Sequence, residues 1–328
     1  MKKRIIAVMM MTLMVFSLFA CSSEPKLDTE KEISVMVLNG TTGFGMAKLM
    51  EDDKADVAAL NYKFSVETDA SNINAALING SADIAALPTN AASVLYNKTN
   101  GAVQVAALNT LGVLYVVEKG DSVKSFADLK GKTVYVPSKG SNPEYIMNFL
   151  CEKNGLEVGK DITLDFTYNA PADLRTAVAA GKVDLAVLPE PMVTIAKTAN
   201  AELNTALDLT KEWDKVATPG SLVQGCIVVR KEFAESNPTE LAKFLEEYEV
   251  SIKYTTEDAK GAGELIAKHG IFEKAPVATK AIPNCNVCFV KGEEMKTALS
   301  AFYQVLFDAN PAAIGGKLPA DDHYYIAQ

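Results

Sequence analysis

The sequence is short of histidine: His269 and His323 are the only two in 328 residues, and neither falls at an expected strand end. No Ser/His or Cys/His nucleophilic set can be assembled, and no imidazole is placed to act as a general base. Cations are in deficit, 32 Lys and Arg against 41 Asp and Glu, a formal charge of -9. Polyanion binding rests on cations that release condensed counterions, so no nucleic acid partner is expected. Cysteine is sparse, five in all. Cys151 and Cys226 stand alone in apolar surroundings and read as buried thiols. Cys285 and Cys288 form a Cys-x-x-Cys inside a strand-like run, as two thiols or a local disulfide. No second pair or histidine completes a zinc set. Neither a metal nor a cofactor is expected, and no enzymatic constellation is signposted.

What is present begins at the N-terminus. Lys2, Lys3 and Arg4 precede sixteen uncharged residues, Ile5 to Ala20, the layout of a signal peptide over 1–20. At about 1.5 Å per residue they reach only about 24 Å, short of a ~30 Å hydrocarbon core, which disfavours a permanent span. No later stretch is as uniformly apolar. Leu18-Phe19-Ala20-Cys21 resembles the lipobox of bacterial lipoproteins, which implies a lipidated Cys21 as the mature N-terminus, with a plain secretory cut near Ala20 as the alternative. Polar residues 21–31 then serve as a tether, and the protein works outside the cytoplasm, held to the membrane by its lipid. The remaining composition, 48% hydrophobic and 22% charged, suits one or two ordinary globular domains.

The most informative feature is internal. Leu77-Ile-Asn-Gly80-Ser-Ala-Asp83-Ile-Ala-Ala-Leu87-Pro88 recurs 101 positions later as Val178-Ala-Ala-Gly181-Lys-Val-Asp184-Leu-Ala-Val-Leu188-Pro189. Each copy ends a helix at a glycine, continues into a short apolar strand and stops at a proline. Upstream, the strand Ile33 to Leu38 opening into Asn39 to Gly43 parallels Thr133 to Val136 opening into Ser138 to Asn142. Each half therefore reads strand, polar turn, helix, strand, helix, strand. Right-handed βαβ crossovers place every strand-to-helix turn on one sheet edge. Ligands of open α/β sheets bind at that carboxyl edge. The expected architecture is α/β and two-lobed, each lobe a mainly parallel sheet flanked by helices, joined by a hinge of two crossing strands. Lobe 1 takes residues 32–112 plus 227–328 and lobe 2 takes 113–226. The C-terminal third, with helices from Pro238 and over Gly292 to Asn310, reads as architectural.

Candidate ligand contacts follow from the edge. Gly40, Thr41, Thr42 and Phe44 form the first turn, before a helix expected from Gly45 to Met50. Its glycines would turn backbone N–H groups outward, suiting an anion or a carbonyl oxygen. Lys139, Gly140, Ser141 and Asn142 repeat the device, with Lys139 as a cation at the rim. Thr89 and Asn90 close the third strand, Leu111 lies on the crossing, and Glu190 ends the repeated strand of the second half. Glu190 could accept from an amino or amidine group, or pair with Lys139 and close the lobes.

These residues resemble a family: solute-binding lipoproteins of ABC importers, of the alkanesulfonate, nitrate, taurine and thiamine-precursor type. The lipobox, Ala76 to Leu87, Phe126-Ala-Asp-Leu-Lys-Gly-Lys-Thr-Val-Tyr135 and Asp184-Leu-Ala-Val-Leu-Pro-Glu-Pro191 carry the resemblance. It implies a periplasmic-binding-protein-like fold of type II, a permease and an ATPase as partners, a monomeric subunit and no chemistry of its own. For the solute, the two polar turns and Lys139 favour a small oxyanion such as a sulfonate. Tyr115, Tyr168, Phe44 and Glu190 suit a flat heteroaromatic such as a thiamine-precursor pyrimidine. A secreted enzyme or a sensory lipoprotein on the same fold is the competing class.

Overall fold

The computed structural model describes residues 27–327; the expected leader and Cys21 lie outside the described residues. Eleven strands form two sheets. The first contains β1 (Glu32–Leu38), β2 (Asn61–Glu67), β3 (Ile84–Pro88), β4 (Val103–Leu111), β10 (Val223–Arg230) and β11 (Val287–Val290), in the order β11-β4-β10-β3-β1-β2. The second contains β5 (Leu114–Lys119), β6 (Thr133–Tyr135), β7 (Thr163–Asp165), β8 (Leu185–Pro189) and β9 (Leu203–Asp208), in the order β7-β6-β8-β5-β9.

The repeat read from the sequence is visible in this order. β2-β1-β3 and β7-β6-β8 are the same parallel trio. Beside each trio one strand runs against it, β10 next to β3 and β5 next to β8, and that strand pairs antiparallel on its far side with β4 or β9, so both sheets are mixed. The repeated strands β3 and β8 are central. Ile84 and Ala86 face one core while Ala85 and Leu87 face another, and Leu185 to Leu188 alternate likewise. Burial on both faces explains their unbroken apolar runs. The helix before β3, Ala70–Asn79, is capped by Asp69 accepting from Ser71 N and ends at Gly80 with φ 80°. Its counterpart, Pro171–Ala179, starts at its own proline and gives way to Gly181.

One core runs through both sheets. Met295, Leu299, Phe302 and Leu306 of the Gly292–Ala309 helix are buried at the expected spacing. Phe302 meets Trp213 at 5.8 Å between ring centroids, and Trp213 meets Phe149 of the Asn142–Lys153 helix at 4.4 Å. The C-terminal helix is thus more than a scaffold for lobe 1, because it also packs on lobe 2. Removing the Trp213 ring should cost about 3–5 kcal/mol by the usual large-to-small arithmetic. The described end of the expected tether is not free. Leu27 packs on the lobe 1 core, Asp28 N donates to Glu240 Oε1 at 2.8 Å, and Lys31 Nζ donates to Asn237 Oδ1 at 2.5 Å.

Both histidines are buried. His323 is fully buried among Tyr96, Tyr303 and Tyr324, and its Nδ1 has no partner. Burial holds its pKa down to about 3, below the ordinary 6.5. The fold therefore favours the neutral ring: its stability is complete above pH 6.5 and is lost as pH falls toward 3, at up to about 1.4 kcal/mol per pH unit. Urea unfolding at pH 7.5, 6 and 5 should show this decline, and His323→Gln should flatten it.

Candidate functional site

Register fixes which loops share an edge. Val37 pairs with Ala86 in the parallel β1–β3 ladder, so the turn after Leu38 and the residues after Pro88 emerge side by side. Tyr135 pairs with Ala186 across β6 and β8, which brings the Ser138 to Asn142 turn beside Glu190. All four expected loops thus lie at carboxyl edges, two on each lobe.

The turn after β1 is built differently from the expectation. Residues Thr41–Met46 form a 3-10 turn, and the helix proper is Ala47–Lys54. Gly43 and Gly45 serve close packing rather than outward amides. A Cβ on Gly43 would lie 2.5 Å from the Leu38 carbonyl oxygen, and one on Gly45 would overlap Ile252 Cδ1. Phe44 is buried in the lobe 1 core, edge-on to Phe272 at 6.2 Å, so its ring does not line the edge. Gly40 N donates to Ile271 O at 3.0 Å and Gly43 N to Gly40 O at 3.0 Å. The Thr41 and Thr42 amides have no acceptor among the described residues, and both residues stay half-buried. The Thr42 carbonyl accepts from Asn109 Nδ2 at 3.0 Å. Of the β3 pair, Thr89 is structural: its hydroxyl donates to Val223 O at 2.8 Å and its carbonyl accepts from Tyr303 OH at 2.8 Å. Asn90 is half-buried at the edge.

The turn after β6 satisfies itself. Ser138 N donates to Asn169 O at 2.7 Å, Lys139 N to Asn169 Oδ1 at 2.8 Å, Gly140 N to Glu144 Oε2 at 2.5 Å and Ser141 N to Ser138 O at 3.1 Å. The anion cradle expected here is filled by the protein's own acceptors, one of them a carboxylate. Asn142 is buried, and its Oδ1 has no partner. Lys139 is exposed, with Nζ 5.5 Å from the centre of the Phe166 ring. It does not pair with Glu190.

Glu190 is 4% exposed. It accepts from Thr194 N at 3.1 Å and Thr194 Oγ1 at 3.0 Å, and from Asn284 Nδ2 of lobe 1 at 3.4 Å. Burial pushes its carboxyl above the usual range, against the pull of those donors. Tyr115 OH donates to the Asn284 carbonyl at 2.7 Å, and Tyr115 packs in a lobe 2 cluster flanked by Tyr135 and Tyr168, whose rings lie 6.0 Å apart. Asn284, Glu144 and Asn169 were not picked out by sequence. The Pro283-Asn284 turn signal was present, but nothing local says that it reaches the other lobe. Cys285 and Cys288 follow this turn as free thiols, and burial raises Cys288 to about 12.

The comparisons agree with this geometry. A family model described as ABC transporter, phosphonate, periplasmic substrate-binding protein matches residues 57–272. The chain belongs to that family. A curated binding protein of Brucella abortus (strain 2308) is 24% identical over 189 residues, which is 57% of this chain and 56% of its own length. The chain thus matches about half the length of such relatives. An ABC transporter structure from Parabacteroides distasonis is similar over 92% of this chain and 100% of its own, at 26% identity and TM-score 0.76. The periplasmic aliphatic sulphonate binding protein SsuA from Escherichia coli is alike in fold, with TM-score 0.67 over 90% of this chain and 94% of its own at 17% identity. Members of the family are substrate-binding proteins of ABC transporters that work outside the cytoplasm. No helix among the described residues is long and apolar enough to cross a membrane.

The two lobes are joined where β4 passes into β5 and where the chain returns into β10. Leu111, expected to touch ligand, sits on the first crossing, where its N–H donates to Asn286 O at 3.0 Å. Asn286 Nδ2 donates to the Gly112 carbonyl at 2.6 Å. A Cβ on Gly112 would overlap Thr210 Oγ1 and come within 2.7 Å of Leu222 Cδ2, which is on the return crossing. Gly112→Ala should therefore destabilise the fold by about 1–3 kcal/mol, read as a lower urea midpoint.

Proposed function

We propose that this protein is the extracytoplasmic solute-binding subunit of an ABC importer, capturing one small solute between its lobes and delivering it to a permease driven by an ATPase. Lobe 1 comprises about 32–112 and 223–328 and lobe 2 about 113–222, the expected boundary at 226/227 moving to the start of β10, which lies wholly in the first sheet. The chain performs no chemistry on its ligand, works as a monomer and is held to the membrane by lipid on Cys21. The observation that carries this reading is the pairing of duplicated strand ends: the turns after β1 and β6, with the ends of β3 and β8, lie at carboxyl edges of two sheets connected by two crossings. Such a pivot lets a solute held by one lobe gain contacts from the other, and it favours closure only by its difference in affinity for the two forms.

The unpartnered Thr41 and Thr42 amides, with their hydroxyls, support an oxyanion or carbonyl group on the part of the solute that meets lobe 1. A second reading, a flat heteroaromatic solute, is favoured by the Tyr135 and Tyr168 rings beside Tyr115 and Glu190.

Thermal-shift screening of the mature chain tests the function. A ligand at 100 times its dissociation constant stabilises by about 2.7 kcal/mol. Thr41→Trp should abolish the shift without lowering the unliganded melting temperature, and an undiminished shift would remove this turn from the site.

A further inference from the structure

One hydrogen bond between the lobes involves neither crossing. Tyr145, in the first turn of the Asn142–Lys153 helix, is buried. Its hydroxyl donates to the Gly140 carbonyl at 2.7 Å, inside the turn after β6, and accepts from Asn310 Nδ2 of lobe 1 at 2.7 Å. The single hydroxyl proton is thus committed to the turn while a lone pair is committed to the other lobe. Asn310 is itself firmly held on the lobe 1 side. It ends the Gly292–Ala309 helix, and its Oδ1 accepts from Ala312 N at 3.1 Å, capping the 3-10 turn Pro311–Ile314. The Ile314 carbonyl accepts from Ser93 Oγ at 2.9 Å and from Asn97 Nδ2 at 2.7 Å. Both belong to the Thr89–Lys98 helix, which begins where β3 ends. A chain of contacts therefore runs from the lobe 1 carboxyl edge to that of lobe 2 without passing through Gly112.

The turn at its far end is one that needs holding. Ser138 has φ 56° and Gly140 φ 77°, and the left-handed region crowds the Cβ of a serine against the backbone. Such a conformation persists only where the surroundings impose it. The Ser138 carbonyl accepts from Ser141 N at 3.1 Å and Ser141 Oγ at 2.6 Å, whereas the Gly140 carbonyl depends on Tyr145. A hydroxyl that accepts a hydrogen bond is polarised and donates more strongly in its turn. Contact with Asn310 therefore tightens the bond from Tyr145 to Gly140, and withdrawal of lobe 1 relaxes it.

We propose that Tyr145 is a positioning residue that makes the shape of the lobe 2 solute turn depend on how lobe 1 lies against it, with Asn310 as the lobe 1 end of the contact. This deepens the binding-protein reading and rests on it. The element with two arrangements is the turn from Ser138 to Asn142, firm while Asn310 is engaged and loose when the lobes part, which is the kind of element that coupling between two sites requires. Closure then completes the lobe 2 edge through a residue that the solute does not touch, and the solute gains from closure by its preference for the completed form.

Amide exchange, followed by nuclear magnetic resonance on the mature chain without solute, tests this, because the amides from Ser138 to Ser141 are all hydrogen-bonded. Asn310→Asp keeps the oxygen that caps Ala312 and removes only the donor to Tyr145. It should speed exchange across the Ser138 to Ser141 amides by about fivefold, the weight of one ordinary hydrogen bond, although the change lies in lobe 1. The Thr89–Lys98 helix amides should keep their rates, because the capped turn that they lean on is intact. Tyr145→Phe should loosen the turn at least as much. Unchanged exchange in the turn of Asn310→Asp would overturn the inference, and so would loosening by Tyr145→Phe alone, which makes the hydroxyl a support internal to lobe 2. If Asn310→Asp does not fold, as judged by circular dichroism, Asn310→Ala carries the same comparison. The thermal-shift screen decides solute binding separately, so the inference can fail while the binding function stands.

Discussion

Both chain crossings between the sheets meet at Gly112, and the absence of its side chain is the constraint from which the rest of the molecule follows. Thr210 and Leu222 close on it so tightly that one methyl group has no room. The lobes are therefore pinned at one line. The Asn284 to Asn286 turn braces that line from outside, bonding to Leu111, Gly112, Tyr115 and Glu190. The Gly292–Ala309 helix also packs across both lobes.

Those edges are economical with polar groups. Glycines that look like an anion cradle in the first turn instead let it lie flat on β1 and on the Pro238–Glu257 helix. The second turn spends its amides on Asn169 and Glu144.

The sequence made the repeat legible because it rests on local rules: glycine after a helix, a doubly buried strand, proline at its end. That every strand-to-helix turn falls on one edge follows from right-handed crossovers. The Gly292 helix was legible from its period, although its packing on Trp213 was not. What escaped was long-range. Asn284 is 94 positions from Glu190 and 169 from Tyr115, and no periodicity encodes a single hydrogen bond over that span. A pair between Lys139 and Glu190, one of two readings of that carboxylate, does not form, because a flexible exposed cation finds an aromatic face as readily as a buried acid that others already serve. Phe44 was counted at the site because it adjoins it in sequence. One residue of register in a 3-10 turn is enough to send such a side chain inward.

The account stands on lobes that close about the Gly112 pivot when solute binds. The most direct measurement is the distance between spin labels on Ser71 of lobe 1 and Thr167 of lobe 2, both exposed and within a few residues of the ends of β2 and β7, taken by pulsed electron resonance with and without the solute that gives the largest thermal shift. The account predicts a shorter and narrower distance distribution in the bound protein. An identical distribution in both states would contradict it.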